Sequence, residues 1–113
     1  MADVSRAELA KELYRAFAAG DRDQVERVLT DDFTFSSPVD PDLDRAGYFE
    51  RCWPGAGRGQ QFEFGRLLEV GDEVVVTYEM TMGDRGRGRN TEVLTFRGKQ
   101  ICRAEVYFGW NLS

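Results

Sequence analysis

Glu92 is the acidic residue of the run Asn90–Phe96, NTEVLTF. Alternation with a period of two places it on one face with Leu94 and Phe96, and Thr91, Val93 and Thr95 on the other. On an apolar, buried face, desolvation disfavours a carboxylate and raises its proton affinity toward neutrality, where a carboxyl works as general acid or base. A solvated, frayed strand start is the alternative. Tyr78 falls on the matching face of the run Glu73–Met82, with Val74, Val76, Met80 and Met82; Val75, Thr77, Glu79 and Thr81 fall opposite. Its hydroxyl can serve a ligand or bond to the backbone within a core. Glu92 as acid–base group and Tyr78 as hydrogen-bond partner are the candidate catalytic pair.

Other chemistries are excluded by what the chain lacks. There is no histidine, so Ser-His-Asp and Cys-His triads and His-ligated metals are ruled out. The two cysteines, Cys52 and Cys102, form no CxxC zinc spacing, and a reduced cytosolic chain is expected rather than a disulfide. No GxGxxG and no GxxxxGK followed by Ser or Thr occurs, so nucleotide-cradling loops are absent and no cofactor is expected. Asp40, Asp42 and Asp44 alternate as cation ligands could. They lack the Gly and distal Glu of a calcium loop, and Asp44 doubles as a helix cap, so no metal is expected. Arg85, Arg87 and Arg89, spaced by glycines, could meet an anion; a solvated hairpin loop is the preferred reading.

The elements that must position these groups follow from capping, periodicity and breakers. Ser5 with Glu8 forms a capping box opening a helix that runs to Ala19. Leu9, Leu13, Ala16 and Phe17 make its apolar stripe, and Gly20 stops it. A second, short helix starts at Asp21 with Val25, Val28 and Leu29 inward and ends at Thr30-Asp31-Asp32. Phe33–Ser37 reads as a strand broken by Pro38. Asp44 caps a third helix over Arg45–Trp53, ended by Pro54-Gly55. A Gly-rich connector leads into consecutive antiparallel strands from Gln61 to Trp110. Gly71-Asp72 and Gly98-Lys99 are short turns and Gly83–Arg89 is a longer loop. In the last run Cys102, Ala104, Val106, Phe108 and Trp110 share a face, and Arg103, Glu105 and Tyr107 the other.

At 113 residues the chain is one domain, 1–113, with 42% hydrophobic and 12% aromatic residues, the composition of a folded chain. A net charge of −5 argues against a nucleic-acid or anionic-membrane partner. No apolar run approaches a membrane span, and the polar, helical start MADVSRAELAKEL is not a signal peptide, so a cytoplasmic location is expected. Two of the fifteen basic residues are lysines, a bias that fits a GC-rich bacterial genome.

The segments AFAAGDRDQVERVLTDDFTFSSPVDP and FRGKQICRAEVYFG carry a family resemblance. The first looks like a helix, Gly-Asp, helix, strand and Pro turn, and the second like a closing hairpin with a long final strand. Together they resemble the nuclear transport factor 2-like superfamily, in its SnoaL-like and ketosteroid-isomerase-like branch. The resemblance implies a cone whose cavity hosts isomerases, cyclases, dehydratases, epoxide hydrolases and non-enzymes. Carried over residue by residue, the isomerase general base falls at Ser37, which cannot act as one. The neutral acid that stabilises an oxyanion falls at Glu92. The oxyanion tyrosine falls at Leu13, with Tyr14 about 100° away on the helix, so Tyr14 is not expected to replace it. A supporting tyrosine falls at Trp53. No arginine for an epoxide-hydrolase set is expected on the inner face.

These readings converge on an α+β fold, a cone-shaped roll of three N-terminal helices packed against a strongly curved antiparallel sheet. Residues expected at a ligand are Tyr14 and Phe17 of the first helix, then Ser37, Trp53 and Phe62, then Met80, Leu94, Phe108 and Trp110. Phe62, Phe64, Met80, Met82 and Val106 serve equally as core filling. The expected function is an isomerase, lyase or cyclase acting without metal on a small cyclic apolar metabolite. The alternative is a non-catalytic domain that binds a small molecule or a protein. The resemblance further implies a homodimer through the mixed polar outer face of the sheet.

Overall fold

A computed structural model describes residues 4–81 and 86–112, without the Asn111 side chain. Met82 and Arg85 lie outside the described residues. Three helices, α1 (Arg6–Ala19), α2 (Arg22–Val28) and α3 (Arg45–Arg51), pack on one sheet of six strands: β1 (Leu29–Ser36), β2 (Leu43–Asp44), β3 (Gln61–Val70), β4 (Glu73–Thr81), β5 (Arg87–Arg97) and β6 (Gln100–Asn111). The sheet order is β2-β1-β6-β5-β4-β3. All neighbours run antiparallel except β1 and β6, which are parallel. No described helix is long and apolar enough to cross a membrane.

The helix starts form as their side chains dictate. Ser5 Oγ accepts the Glu8 N–H at 3.1 Å, Asp21 the Gln24 N–H at 3.2 Å, and Asp44 the Gly47 N–H at 2.7 Å. Each satisfies a donor that the first helical turn leaves unpaired. α1 is then fastened at both ends. Arg6 bonds Asp72 at 3.0 Å and the Gly98 carbonyl at 3.2 Å, reaching two hairpin turns. At the other end Gly57 and Gly59 donate to the carbonyls of Phe17 and Ala18 at 2.8 and 3.0 Å. Gly20 and Gly57, at φ 73° and 71°, pass so close that a Cβ on either would lie within 3.2 Å of the other's backbone. This clamp sets the height of α1 above the sheet, and Tyr14 sits between its two fastenings.

Several boundaries differ from the sequence expectation. α2 stops at Val28, and Leu29 already opens β1, because its side chain is wanted in the core at 2% exposure. α3 ends at Arg51, and Trp53 begins a separate turn of 3-10 helix, Trp53–Gly55, which accommodates Pro54 near its start. β2 pairs Leu43 with Phe35, a two-residue strand inside what reads as loop. β5 begins at Arg87, so Arg87 and Arg89 belong to a strand rather than a solvated hairpin loop.

Two irregularities decide which side chains face inward. Thr95 pairs with Arg103 but Phe96 with Ile101, so Cys102 is an extra residue in β6. The bulge turns Ile101, not Cys102, into the core; the Cys102 thiol instead donates to the Thr95 carbonyl at 3.5 Å. In β3, Phe64 pairs with Tyr78 and Arg66 with Thr77, so Gly65 is extra: Phe62 and Phe64 face inward before it, and Leu67 rather than Arg66 does so after it. The core proper lies below them. Phe33, Leu94, Ile101, Val74 and Val76 are fully buried, each stabilising the fold by about 1.5–3 kcal/mol relative to exposure.

Candidate functional site

Above that core, toward one end of the cone, the sheet and helices do not close. A cavity of about 200 Å³ remains between them. α1 supplies Leu13, Tyr14 and Phe17, and Tyr48 of α3 and Cys52 complete the helical wall. Across the sheet, β3 and β4 supply Phe62, Tyr78 and Met80, β5 supplies Asn90 and Glu92, and β6 and β1 supply Val106, Phe108 and Phe35. The volume lies below the roughly 300–1,000 Å³ of drug-sized sites. The wall is largely hydrocarbon and ring, with the polar groups Glu92, Tyr14, Tyr78, Tyr48 and Asn90.

Glu92 faces inward at 8% exposure, next to the fully buried Leu94 on the same face. The alternation of β5 forces this: once Leu94 and Phe96 enter the core, Glu92 must follow. Burial pushes its carboxyl up to about 7, against the smaller opposing effect of the Tyr14 and Tyr78 hydroxyls, which act as donors to its ionised form. Near pH 7 both protonation states are therefore populated. Burial and the nearby Glu92 charge raise all three tyrosines, Tyr14, Tyr48 and Tyr78, so their hydroxyls stay protonated as donors. Burial, and then Asp40, push the Cys52 thiol up to about 11, which makes it a poor nucleophile.

Both Leu13 and Tyr14 line the cavity, because its helical wall spans more than the 100° separating consecutive residues. The Tyr14 ring packs between Phe62 and Tyr78, at centroid distances of 5.3 and 5.2 Å. Its hydroxyl is buried and approaches Glu92 without a well-formed hydrogen bond to any protein atom. The Tyr78 hydroxyl accepts from Asn90 Nδ2 at 3.4 Å.

Of the other expected ligand-facing residues, Phe17, Phe62, Met80 and Phe108 line the cavity, Phe108 at its mouth with 53% exposure. Ser37 does not line it; its Oγ accepts the N–H groups of Val39 and Asp40 and closes a turn. Trp53 stands behind the wall, edge-on to Phe17 at 5.7 Å. Leu94 lies wholly in the core. Trp110 is 63% exposed, with the Arg89 guanidinium 5.3 Å over its ring. A second break in pairing causes this: Gly88 pairs with Asn111 and Asn90 with Phe108, leaving Gly109 and Trp110 opposite Arg89 alone. Sequence reasoning passed over Asn90, Tyr48, Phe35 and Cys52 as site residues. Asn90 had a signal, its two-residue spacing from Glu92; Tyr48 and Cys52 depended on how α3 lies on the sheet.

The acidic trio is engaged elsewhere. Asp40 pairs with Arg51, the Asp42 backbone N–H bonds Ser36 Oγ, and Asp44 caps α3. Among the described residues no cluster of His, Cys, Asp or Glu is placed to hold a metal.

No protein of curated function matches the chain. Solved structures do match in fold. An NTF2-like protein of unknown function from Cytophaga hutchinsonii has a TM-score of 0.77 at 16% identity, covering 96% of this chain and 93% of that one. A candidate ketosteroid isomerase from Kribbella flavida has a TM-score of 0.78 at 19% identity, covering 96% and 80%. An LEH-like epoxide hydrolase from M. tuberculosis has a TM-score of 0.73 at 20% identity, covering 92% and 82%. At these identities the likeness is one of fold. In sequence, the model of the SnoaL-like domain matches residues 10–104, and the chain belongs to that family.

Proposed function

We propose that this protein is an acid–base enzyme of isomerase, lyase or cyclase type. Its substrate is a small cyclic apolar metabolite carrying a carbonyl or hydroxyl oxygen. The observation behind this is a single carboxyl, raised to about 7, at the wall of a largely apolar cavity beside the Tyr14 and Tyr78 hydroxyls. A general base poised near working pH is present as carboxylate in useful amount and still basic enough to take a proton. Ionised Glu92 removes a proton from the substrate, and its conjugate acid returns one. The Tyr14 hydroxyl, buried near Glu92 without a well-formed hydrogen bond among the described residues, can turn to the substrate oxygen; an unpaired buried hydroxyl costs about 1–3 kcal/mol, which a ligand acceptor recovers. The Tyr14 hydroxyl dipole near that oxygen stabilises the charge that develops on it.

No arginine or aspartate lines the cavity among the described residues, so the Asp-Arg-Asp set of an epoxide hydrolase is not supported. One observation favours a second reading, a silent binding protein. Ser37 is tied up in its turn, so no second base faces Glu92 from that position. The deciding experiment is turnover of cyclic ketones, phenols, lactones and terpenoids by wild type and Glu92→Gln. The enzyme reading expects kcat/KM to rise with pH through about 7 and to fall about 10²–10⁴-fold in the variant. Ligand binding by both forms with no turnover by either would establish the binder instead.

The outer face supports a homodimer. Leu68, Val70 and Tyr107 are exposed there around the Thr77–Thr91 pair, whose hydroxyls lie 2.8 Å apart. Light scattering should give twice the chain mass, and Tyr107→Arg should halve it; a monomeric wild type would refute the dimer.

A further inference from the structure

We propose that Asn90 is a positioning residue that aims the Tyr78 proton at Glu92. Gly109 sits opposite Arg89, where any side chain would collide with the Arg89 carbonyl oxygen. Its N–H turns to Asn90 and donates to Oδ1 at 3.2 Å. A backbone N–H can only donate, so this contact fixes which end of the Asn90 amide is oxygen. The NH2 end then faces the Tyr78 hydroxyl at 3.4 Å and can only donate to it. A phenol has one proton and can accept. With Asn90 donating, Tyr78 is held as acceptor on one side, and its proton is left for the carboxyl of Glu92 in the same cavity.

The chain of donors is thus Gly109 to Asn90, Asn90 to Tyr78, and Tyr78 to Glu92. It starts from a backbone amide, which has no alternative direction. It also separates Tyr78 from Tyr14: Tyr78 is held by Asn90 and aimed at the carboxyl, while Tyr14, which also approaches Glu92, has no well-formed hydrogen bond among the described residues. The titratable groups facing Glu92 are Tyr14 from α1, Tyr48 from α3, Cys52 beyond α3 and Tyr78 from β4. Asn90 acts on Glu92 through the last of these.

This inference rests on Glu92 being the proton-transfer group, but its test needs no turnover. The midpoint of Glu92 is read by carbon-detected NMR of its side-chain carboxyl in ligand-free protein, assigned with Glu92→Gln. Asn90→Ala releases the Tyr78 proton from its enforced direction, so Glu92 loses a donor and its midpoint rises by about 0.5–1 pH unit. In a Tyr78→Phe background the same substitution should do nothing, because the route is already cut. Asn90→Asp is the isosteric second variant, safe against loss of the Gly109 bond. It accepts from Tyr78 rather than donating, and should raise the midpoint more with Tyr78 present than in the Tyr78→Phe background. An unchanged midpoint in Asn90→Ala, or equal shifts in the two backgrounds, would overturn the proposal. A confirmed shift in a protein that turns nothing over would leave the relay standing and reject the enzyme reading alone.

Discussion

Tyr78 and Glu79 are consecutive, and their partners across the ladder, Asn90 and Arg89, are consecutive too. Adjacent rungs of the same two strands thus hold two polar clusters on opposite faces. Outside, Glu79 is gripped by Arg89 at 2.7 Å and Arg87 at 3.5 Å, and these charges hold its carboxyl below the usual range. Inside, only hydroxyls and no cation face Glu92 among the described residues, and burial drives it up to about 7. Residue type is the same, and environment separates the roles. A carboxylate with a charged partner in water is already at rest. A carboxyl kept from both water and cations is destabilised as an ion, and that is what makes it reactive.

Glu92→Gln, read as stability, should show the largest difference between the two carboxyls. Folding holds Glu92 above its ordinary value of 4.5. The native state therefore binds more protons than the unfolded chain between about 4.5 and 7, and stability from this group falls as pH rises through that window. The loss is complete above about pH 8 and amounts to about 3 kcal/mol. Glutamine has no charge to bury. Glu92→Gln should be more stable than wild type at pH 8 by about that amount, and close to it at pH 4, by urea unfolding. Equal stability at both values would mean that Glu92 is solvated, and the contrast with Glu79 would collapse. Gaining stability while losing turnover is the pattern of a strained site.

The fold was legible because its cues are local. The Ser5, Asp21 and Asp44 caps, the stop at Gly20 and the alternation of β4 and β5 each follow from a few residues of chain. Glu92 and Tyr78 were legible for the same reason, since period-two spacing from Leu94 and Val76 placed them. What failed depended on single-residue insertions. The extra residue at Cys102 exchanged it with Ile101, and the break at Gly109 carried Trp110 out to Arg89. A bulge changes which face every later residue occupies, and its driving contacts lie on the neighbouring strand, not in its own sequence. The spacing from Glu92 puts Asn90 on the inner face, but its bond from Gly109 depends on that same break and left no mark in the sequence.

A smaller effect separates the two tyrosines. Tyr14→Phe removes a buried hydroxyl that has no well-formed hydrogen bond among the described residues. Stability should hold or improve slightly, while affinity for a ligand oxygen falls about tenfold, the worth of one hydrogen bond of roughly 1.4 kcal/mol. Tyr78→Phe strips a bonded hydroxyl and should cost stability instead. Calorimetry for ligand and thermal melts for the fold give the two readouts. Equal behaviour of the two variants would erase the division of labour between them.

The smallest effect belongs to Glu79→Gln, and its smallness is informative. Glu79 pairs with two arginines, yet the Arg87 and Arg89 side chains are 49% and 35% exposed, so water and salt already compete for them. Exposed pairs contribute little and are screened as ionic strength rises. Glu79→Gln should lower the melting temperature slightly in low salt, and the difference should vanish near 1 M salt. It should leave the Glu92 midpoint where it is, because the sheet separates the two carboxyls and the Tyr78–Asn90 rung faces only one of them. A shift in Glu92 would show that charge on the outer face reaches the cavity through the backbone, so that the pairs outside help set the proton affinity within.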